Sequence, residues 1–194
     1  EENFRLGHAL AQVNNMFIIA QTKNKLILVD QHAAHERIVL ENLKTAYLKN
    51  NIDRQVLLIP EVLTVEGNIR LFLDNREKIK KLGIVFEEYG DNTILIRELP
   101  GILGKIRIKE LFDDLYIQLD KFDEVNLSNY QIEKLFSSIA CHNSIRAGRK
   151  LNIEQMNNLL RLMETTPNSG QCNHGRPTFV ELDIKDMEKL FGRT

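Results

Sequence analysis

The sequence predicts an α+β fold, an αβ sandwich in two subdomains, and three observations predict it. Two apolar runs near the start, Met16–Ala20 and Lys25–Val29, flank a short polar link and pair as a hairpin. Strand and helix patterns then follow in irregular order, not as the repeated βαβ units of a doubly wound sheet. The middle of the chain, about residues 45–135, carries its own strands and helices, so it reads as a subdomain inserted into a body made from both chain ends.

Taken in order, Phe4–Val13 alternates loosely as a first strand, and the hairpin leads directly into a helix over Asp30–Lys49 that Asn50 and Asn51 end. Gln55–Pro60 is a short apolar strand stopped by a proline that cannot donate to a ladder. Asn68–Leu82 has helical spacing, with Gly83 where a left-handed cap favours glycine. Ile84–Tyr89 and Thr93–Glu98 are strands around a turn of Gly90, Asp91 and Asn92. Past the break at Leu99, Pro100 and Gly101 come helices over Lys109–Phe122 and Ser128–Ser144, the second with Ser128 as N-cap. A helix over Ile153–Glu164, a loop over Thr165–Pro177, a strand over Thr178–Leu182 and a short helix over Ile184–Leu190 complete the chain.

At 194 residues, 43% hydrophobic and 27% charged, the chain can bury one substantial core or two small ones. No apolar run is long enough to cross a bilayer, and the start, Glu1-Glu2-Asn3-Phe4, lacks the basic and apolar regions of a signal peptide, so a cytoplasmic location and no membrane partner are expected. In that compartment Cys141 and Cys172 are thiols or metal ligands rather than a disulfide. A net charge of −1 supplies no global positive field for nucleic acid, so a chain acting on DNA must be delivered to it. The local basic group Arg146, Arg149 and Lys150 reads as a solvated helix face.

The most informative stretch runs from Asp30 to Glu41. At about 100° per residue, His32 and Glu36 stand one turn apart on a helix face that also carries Ala33, Val39, Leu40, Leu43 and Tyr47. A carboxylate inside an apolar stripe needs a cation or a proton. Asp30 lies where a strand gives way to this helix. The competing reading is that Asp30 caps the helix, His32 is a hydrogen-bonded core histidine and Glu36 pairs with a nearby arginine.

Cys172-Asn173-His174 is the second informative stretch. Were it extended, residues two apart would face one point, and a thiolate and an imidazole both suit zinc. Gly175-Arg176-Pro177 follows with a flexible residue, a guanidinium and a rigid stop, which suits holding a phosphate oxygen near the backbone. Asp30, His32, Glu36, Cys141, Cys172 and His174 make six candidate ligands, more than one closed tetrahedral zinc requires. Six donors suit two ions sharing a carboxylate, the device for in-line phosphodiester hydrolysis. Their mixed softness suits zinc at one position and manganese or magnesium at the other. Zincin spacing, His-Glu-x-x-His, and the deaminase pattern, His-x-Glu with Pro-Cys-x-x-Cys, are both missing from the sequence. His142 reads as a helix-face residue.

On these residues the chain resembles the C-terminal region of the MutL family of DNA mismatch repair proteins, in the lineages whose members nick DNA. The family's endonuclease motif, Asp-Gln-His-Ala-x-x-Glu-x-x-x-x-Glu, is matched by Asp30, Gln31, His32, Ala33, Glu36 and Glu41. Ala140-Cys141-His142 resembles a second motif, and Cys172 to Pro177 resembles Cys-Pro-His-Gly-Arg-Pro with Asn173 replacing the proline. Phe191-Gly192-Arg193 resembles the terminal Phe-x-Arg, and Gln55 to Pro60 looks like the family's peptide for docking on the replication sliding clamp, with Gln55, Leu58 and Pro60 as its anchors. Read alone, that segment is simply a buried strand.

The resemblance implies a homodimerising endonuclease body, residues 1–44 with 136–194, and an inserted regulatory subdomain, residues 45–135. It implies metal ligands at Asp30, His32, Glu36, Cys141, Cys172 and His174, a structural or regulatory Zn2+, and a catalytic Mn2+ or Mg2+. ATP would enter only through an ATPase region preceding Glu1. The expected function is metal-dependent nicking of duplex DNA in mismatch repair, bacterial, cytoplasmic and nucleoid-associated during repair, with the sliding clamp and a MutS-type mismatch recognition protein as partners. Glu36 is the expected bridging ligand, Arg176 steadies phosphate charge with support from Arg193, and Glu41 sits beside the ligands or at the surface. The rival function is a non-catalytic, zinc-stabilised matchmaker; a zinc hydrolase of small substrates is a weaker third.

Overall fold

In a computed structural model the described residues are 4–104, 106–121, 129–142 and 149–193. The expected cap Ser128, the helix ends at Phe122 and Ser144, and the basic residue Arg146 lie outside them. The chain divides into two compact units, Glu1–Glu41 with Arg146–Thr194, and Asn42–Ile145.

In the first unit, strands β1 (His8–Val13), β2 (Phe17–Gln21), β3 (Lys25–Asp30) and β7 (Phe179–Asp183) form an antiparallel sheet in the order β1-β2-β3-β7. Its register sets Ile18 opposite Val29 and Ala20 opposite Ile27, and all four are fully buried. Against that face pack Met156, Leu159, Leu160 and Met163 of α6 (Ile153–Thr165) and Ala34 and Ile38 of α1 (Gln31–Leu48). Helix α6 starts on a complete capping box, Asn152 with Gln155. Residues one step out of phase face the other way: Val180 pairs with Leu28 and Leu182 with Leu26, and Val180 and Leu182 are 46% and 49% exposed. The hairpin, α6, β7 and the short α7 (Ile184–Leu190) all occur where the sequence places them. Gly7 lets β1 start: at φ 64°, a Cβ there would lie 2.0 Å from the Gln21 carbonyl oxygen.

The second unit has the antiparallel sheet β4-β6-β5, from β4 (Arg54–Thr64), β5 (Val85–Gly90) and β6 (Thr93–Pro100). Its core gathers Phe72, Phe86 and Phe112, whose rings meet edge-on or tilted with centroids 5.4–6.2 Å apart. Phe72 comes from α2 (Arg70–Asp74) and Phe112 from α4 (Ile108–Asp120); α3 (Arg76–Lys81), the 3-10 turn Gly101–Leu103 and α5 (Asn129–His142) complete the unit.

Two expectations are corrected here. Pro60 does not stop β4, because the pairing with β6 slips between Val56 and Glu61, and the proline sits in a stretch where the ladder asks for no donor. That slip turns apolar side chains outward: Leu58 is 98% and Ile59 82% exposed, so the segment is not a buried strand. Asn68–Leu82 is two helices, not one. Asn75, at φ −99° and ψ 10°, divides them and turns its side-chain amide onto the Leu71 carbonyl 2.9 Å away.

Candidate functional site

The site is built where β3 passes into α1. The Asp30 N–H donates to the Thr178 carbonyl at 2.8 Å, which joins the strand end to the foot of β7. One Asp30 carboxylate oxygen, Oδ1, accepts the Ala33 N–H at 2.9 Å and so caps the helix it precedes. One turn on, His32 Nε2 lies 3.2 Å from Glu36 Oε1, with the imidazole 42% and the carboxylate 9% exposed. The hydrogen bond to Glu36 raises the His32 pKa above the ordinary histidine value; burial opposes it, and the charges of Glu36 and Asp30 add to it. The helix geometry therefore pairs Glu36 with His32 and not with an arginine, whereas Asp30 does cap.

The arginine nearby does something else. Arg37 donates from Nε to the Gln171 carbonyl at 2.7 Å, from Nη2 to the Cys172 carbonyl at 2.9 Å, and from Nη1 to Glu41 Oε1 at 2.9 Å. It therefore fastens α1 to the loop that carries Cys172, His174 and Arg176. Glu41, 7% exposed, is buried beneath this fork and is not a surface residue. Nothing in the motif spacing singled Arg37 out, although its i,i+4 relation to Glu41 is a legible signal.

The loop is not extended, which corrects the alternation argument for Cys172 and His174. Cys172 N–H donates to the Arg176 carbonyl at 2.7 Å, and Gly175 N–H donates back to the Cys172 carbonyl at 3.0 Å. Gln171 and Pro177 form an isolated antiparallel bridge across the base. Gly175 makes this tight reversal possible at φ 79°, outside the range that side chains favour. The Cys172 sulfur, in a residue only 5% exposed, receives the His174 N–H at 3.3 Å, while His174 and Arg176 point their side chains to solvent. Between them, both side-chain amide atoms of Asn173 are shielded and have no hydrogen-bond partner among the described residues.

The remaining expected site residues belong to other elements. Cys141 is half-buried on α5, in the second unit, and neither cysteine forms a disulfide. His142 is not a free helix-face residue: its Nε2 meets Asp114 Oδ2 at 2.8 Å, joining α5 to α4. Arg193 is exposed beyond α7, its N–H on the Glu188 carbonyl at 3.0 Å. Gln55, Leu58 and Pro60 lie on β4 of the second unit. Among the described residues, no three histidine, cysteine, aspartate or glutamate side chains converge on one point as metal ligands. His32 and Glu36 stand as a pair on the helix, while on the loop the buried Cys172 sulfur is met by the His174 backbone N–H and the His174 ring is exposed. Their chemistry suits a divalent ion, and the orphaned Asn173 amide between the loop donors marks a place where a further polar partner belongs.

Residues 10–151 match the family described as the MutL C terminal dimerisation domain. DNA mismatch repair protein MutL of Nitrobacter winogradskyi is 47% identical over 189 residues, covering 97% of this chain and 31% of that protein. The proteins of the same name from Rickettsia akari and Afipia carboxidovorans are 46% and 48% identical, over 99% and 97% of this chain. The chain spans about a third of the length of these relatives.

Proposed function

The chain belongs to the MutL C-terminal dimerisation domain family, and from that premise we propose that it is a metal-dependent endonuclease domain that nicks duplex DNA during mismatch repair. The observation that carries the proposal is the lacing of α1, which bears His32 and Glu36, to the loop that bears Cys172 and His174, by two bonds from Arg37. Asp30, His32, Glu36, Cys172 and His174 would hold the metal, zinc together with manganese or magnesium. Bound there, divalent ions supply an activated water and neutralise charge that builds on the phosphate. Glu36, buried at the helix face beside His32, would offer its carboxylate to the metal. His32 gives up the proton that its contact with Glu36 favours before its Nε2 can serve as a donor. Arg176, exposed on a loop that Gly175 turns sharply, would meet the phosphate oxygens with its guanidinium.

A second copy of the chain would cover the outer sheet face that Val180 and Leu182 expose, giving a homodimer. The net charge of −1 makes unaided DNA binding weak. Docking of Gln55, Leu58 and Pro60 on the sliding clamp would raise the local concentration of DNA, and the exposure of Leu58 and Ile59 supports that role. A MutS-type protein would direct the enzyme to mismatches.

The description of the matched family as a dimerisation domain favours a second reading, a non-catalytic matchmaker in which zinc only steadies the fold. Nicking of supercoiled plasmid with manganese and clamp separates them. The parent nicks and Glu36→Lys does not if the domain is an enzyme; parent and variant equally inert leaves the matchmaker.

A further inference from the structure

Arg37 is neither a donor for metal nor exposed enough to reach DNA freely, yet its guanidinium bonds two carbonyls of the loop and a carboxylate of its own helix. Its side chain is 11% exposed, and that of its partner Glu41 is 9% exposed. The guanidinium makes three charge-assisted bonds, two of them to consecutive carbonyls of the loop, at Gln171 and Cys172. A planar fork satisfied on three sides has one orientation, and it transmits that orientation to whatever it holds. The loop's own bonds, from Cys172 to Arg176 and from Gly175 to Cys172, shape the turn, and the two bonds from Arg37 tie it to α1.

We propose that Arg37 is the positioning residue of the metal site, setting the Cys172–His174 turn against the His32–Glu36 pair, and that Glu41 orients Arg37. The proposal rests on the metal-site reading above. It explains why a glutamate that points away from the His32 face is buried five residues beyond Glu36: its carboxylate holds the guanidinium and need not touch an ion. Glu36 and Arg37 are adjacent, so one residue aims inward as a ligand while the next secures the opposite wall.

Removing Arg37 alone would take a cation from the buried Glu41 carboxylate and risk unfolding, so the informative variant is Arg37→Met with Glu41→Leu, which removes both charges and keeps the volume. Iodoacetamide labelling of Cys172 in the metal-free chain, followed by peptide mass spectrometry, reads the position of the turn. Zinc affinity, by competition with a chromophoric chelator, reads the site. The double variant is expected to keep the parent's unfolding temperature, to label Cys172 about 10-fold faster, and to bind zinc about 10- to 100-fold more weakly, the range for residues that orient metal ligands. Labelling or zinc affinity equal to the parent's overturns the proposal. Should the double variant fail to fold, Glu41→Gln decides it: a smaller acceleration of labelling supports the role, and an unchanged rate refutes it. A parent chain that takes up no zinc would sink the metal-site reading instead, and labelling alone would then judge the Arg37 latch.

Discussion

Glu36 has been taken out of water to 7% exposure and given a half-exposed imidazole as its hydrogen-bond partner. A carboxylate held that way adds little to folding, because its desolvation offsets most of the attraction. Glu36→Gln should therefore change the urea-unfolding free energy of the metal-free chain by less than about 1 kcal/mol while removing metal-dependent nicking. Leu160→Ala, a fully buried methyl-rich site on α6, should instead lose about 2–5 kcal/mol. If Glu36→Gln cost as much as the core truncation, its role would be structural. At this scale the sequence was readable wherever chemistry follows helical spacing, as for His32 and Glu36 one turn apart. It misled at Cys172 and His174, because alternation presumes an extended backbone and Gly175 permits a reversal stabilised by backbone hydrogen bonds between loop residues. Arg37 escaped notice because its partners on the loop are carbonyls, which leave no mark on residue identity.

Strand β4 shows how an element can be foreseen and yet behave differently. Its apolar residues predict a strand, but the slipped pairing between Val56 and Glu61 evicts Leu58 and Ile59 from any core. Only the partner strand's register reveals that, and register is a long-range property. Replacing both Leu58 and Ile59 by aspartate should leave stability within about 0.5 kcal/mol of the parent and abolish capture of the chain on immobilised sliding clamp. Retention of the parent's clamp affinity would remove this segment from the docking account. The helix expected over Asn68–Leu82 broke for a similarly local reason, since the Asn75 side chain competes for the Leu71 carbonyl. By contrast α1 and α6 match their sequence signals closely, because an amphipathic face or a capping box is decided within a few residues.

For the molecule as a whole, each unit has its own core, one a sheet face against α1 and α6, the other a cluster of phenylalanine rings beside a three-stranded sheet. No helix among the described residues is long and apolar enough to cross a membrane. The outer face of the first unit's sheet carries Val180 and Leu182 where a solvated strand would place polar residues. Val180→Asp together with Leu182→Asp should shift the chain from dimer to monomer in sedimentation velocity; an unchanged sedimentation coefficient would place the partner on another surface. The central claim is that α1 and the Cys172 loop share a divalent ion. Zinc-edge X-ray absorption of the zinc-loaded chain tests it most directly: the parent should show sulfur at about 2.3 Å with nitrogen or oxygen at about 2.0–2.2 Å, and Cys172→Ser should lose sulfur from that shell. A parent spectrum containing only nitrogen and oxygen, or one unchanged by Cys172→Ser, would contradict it.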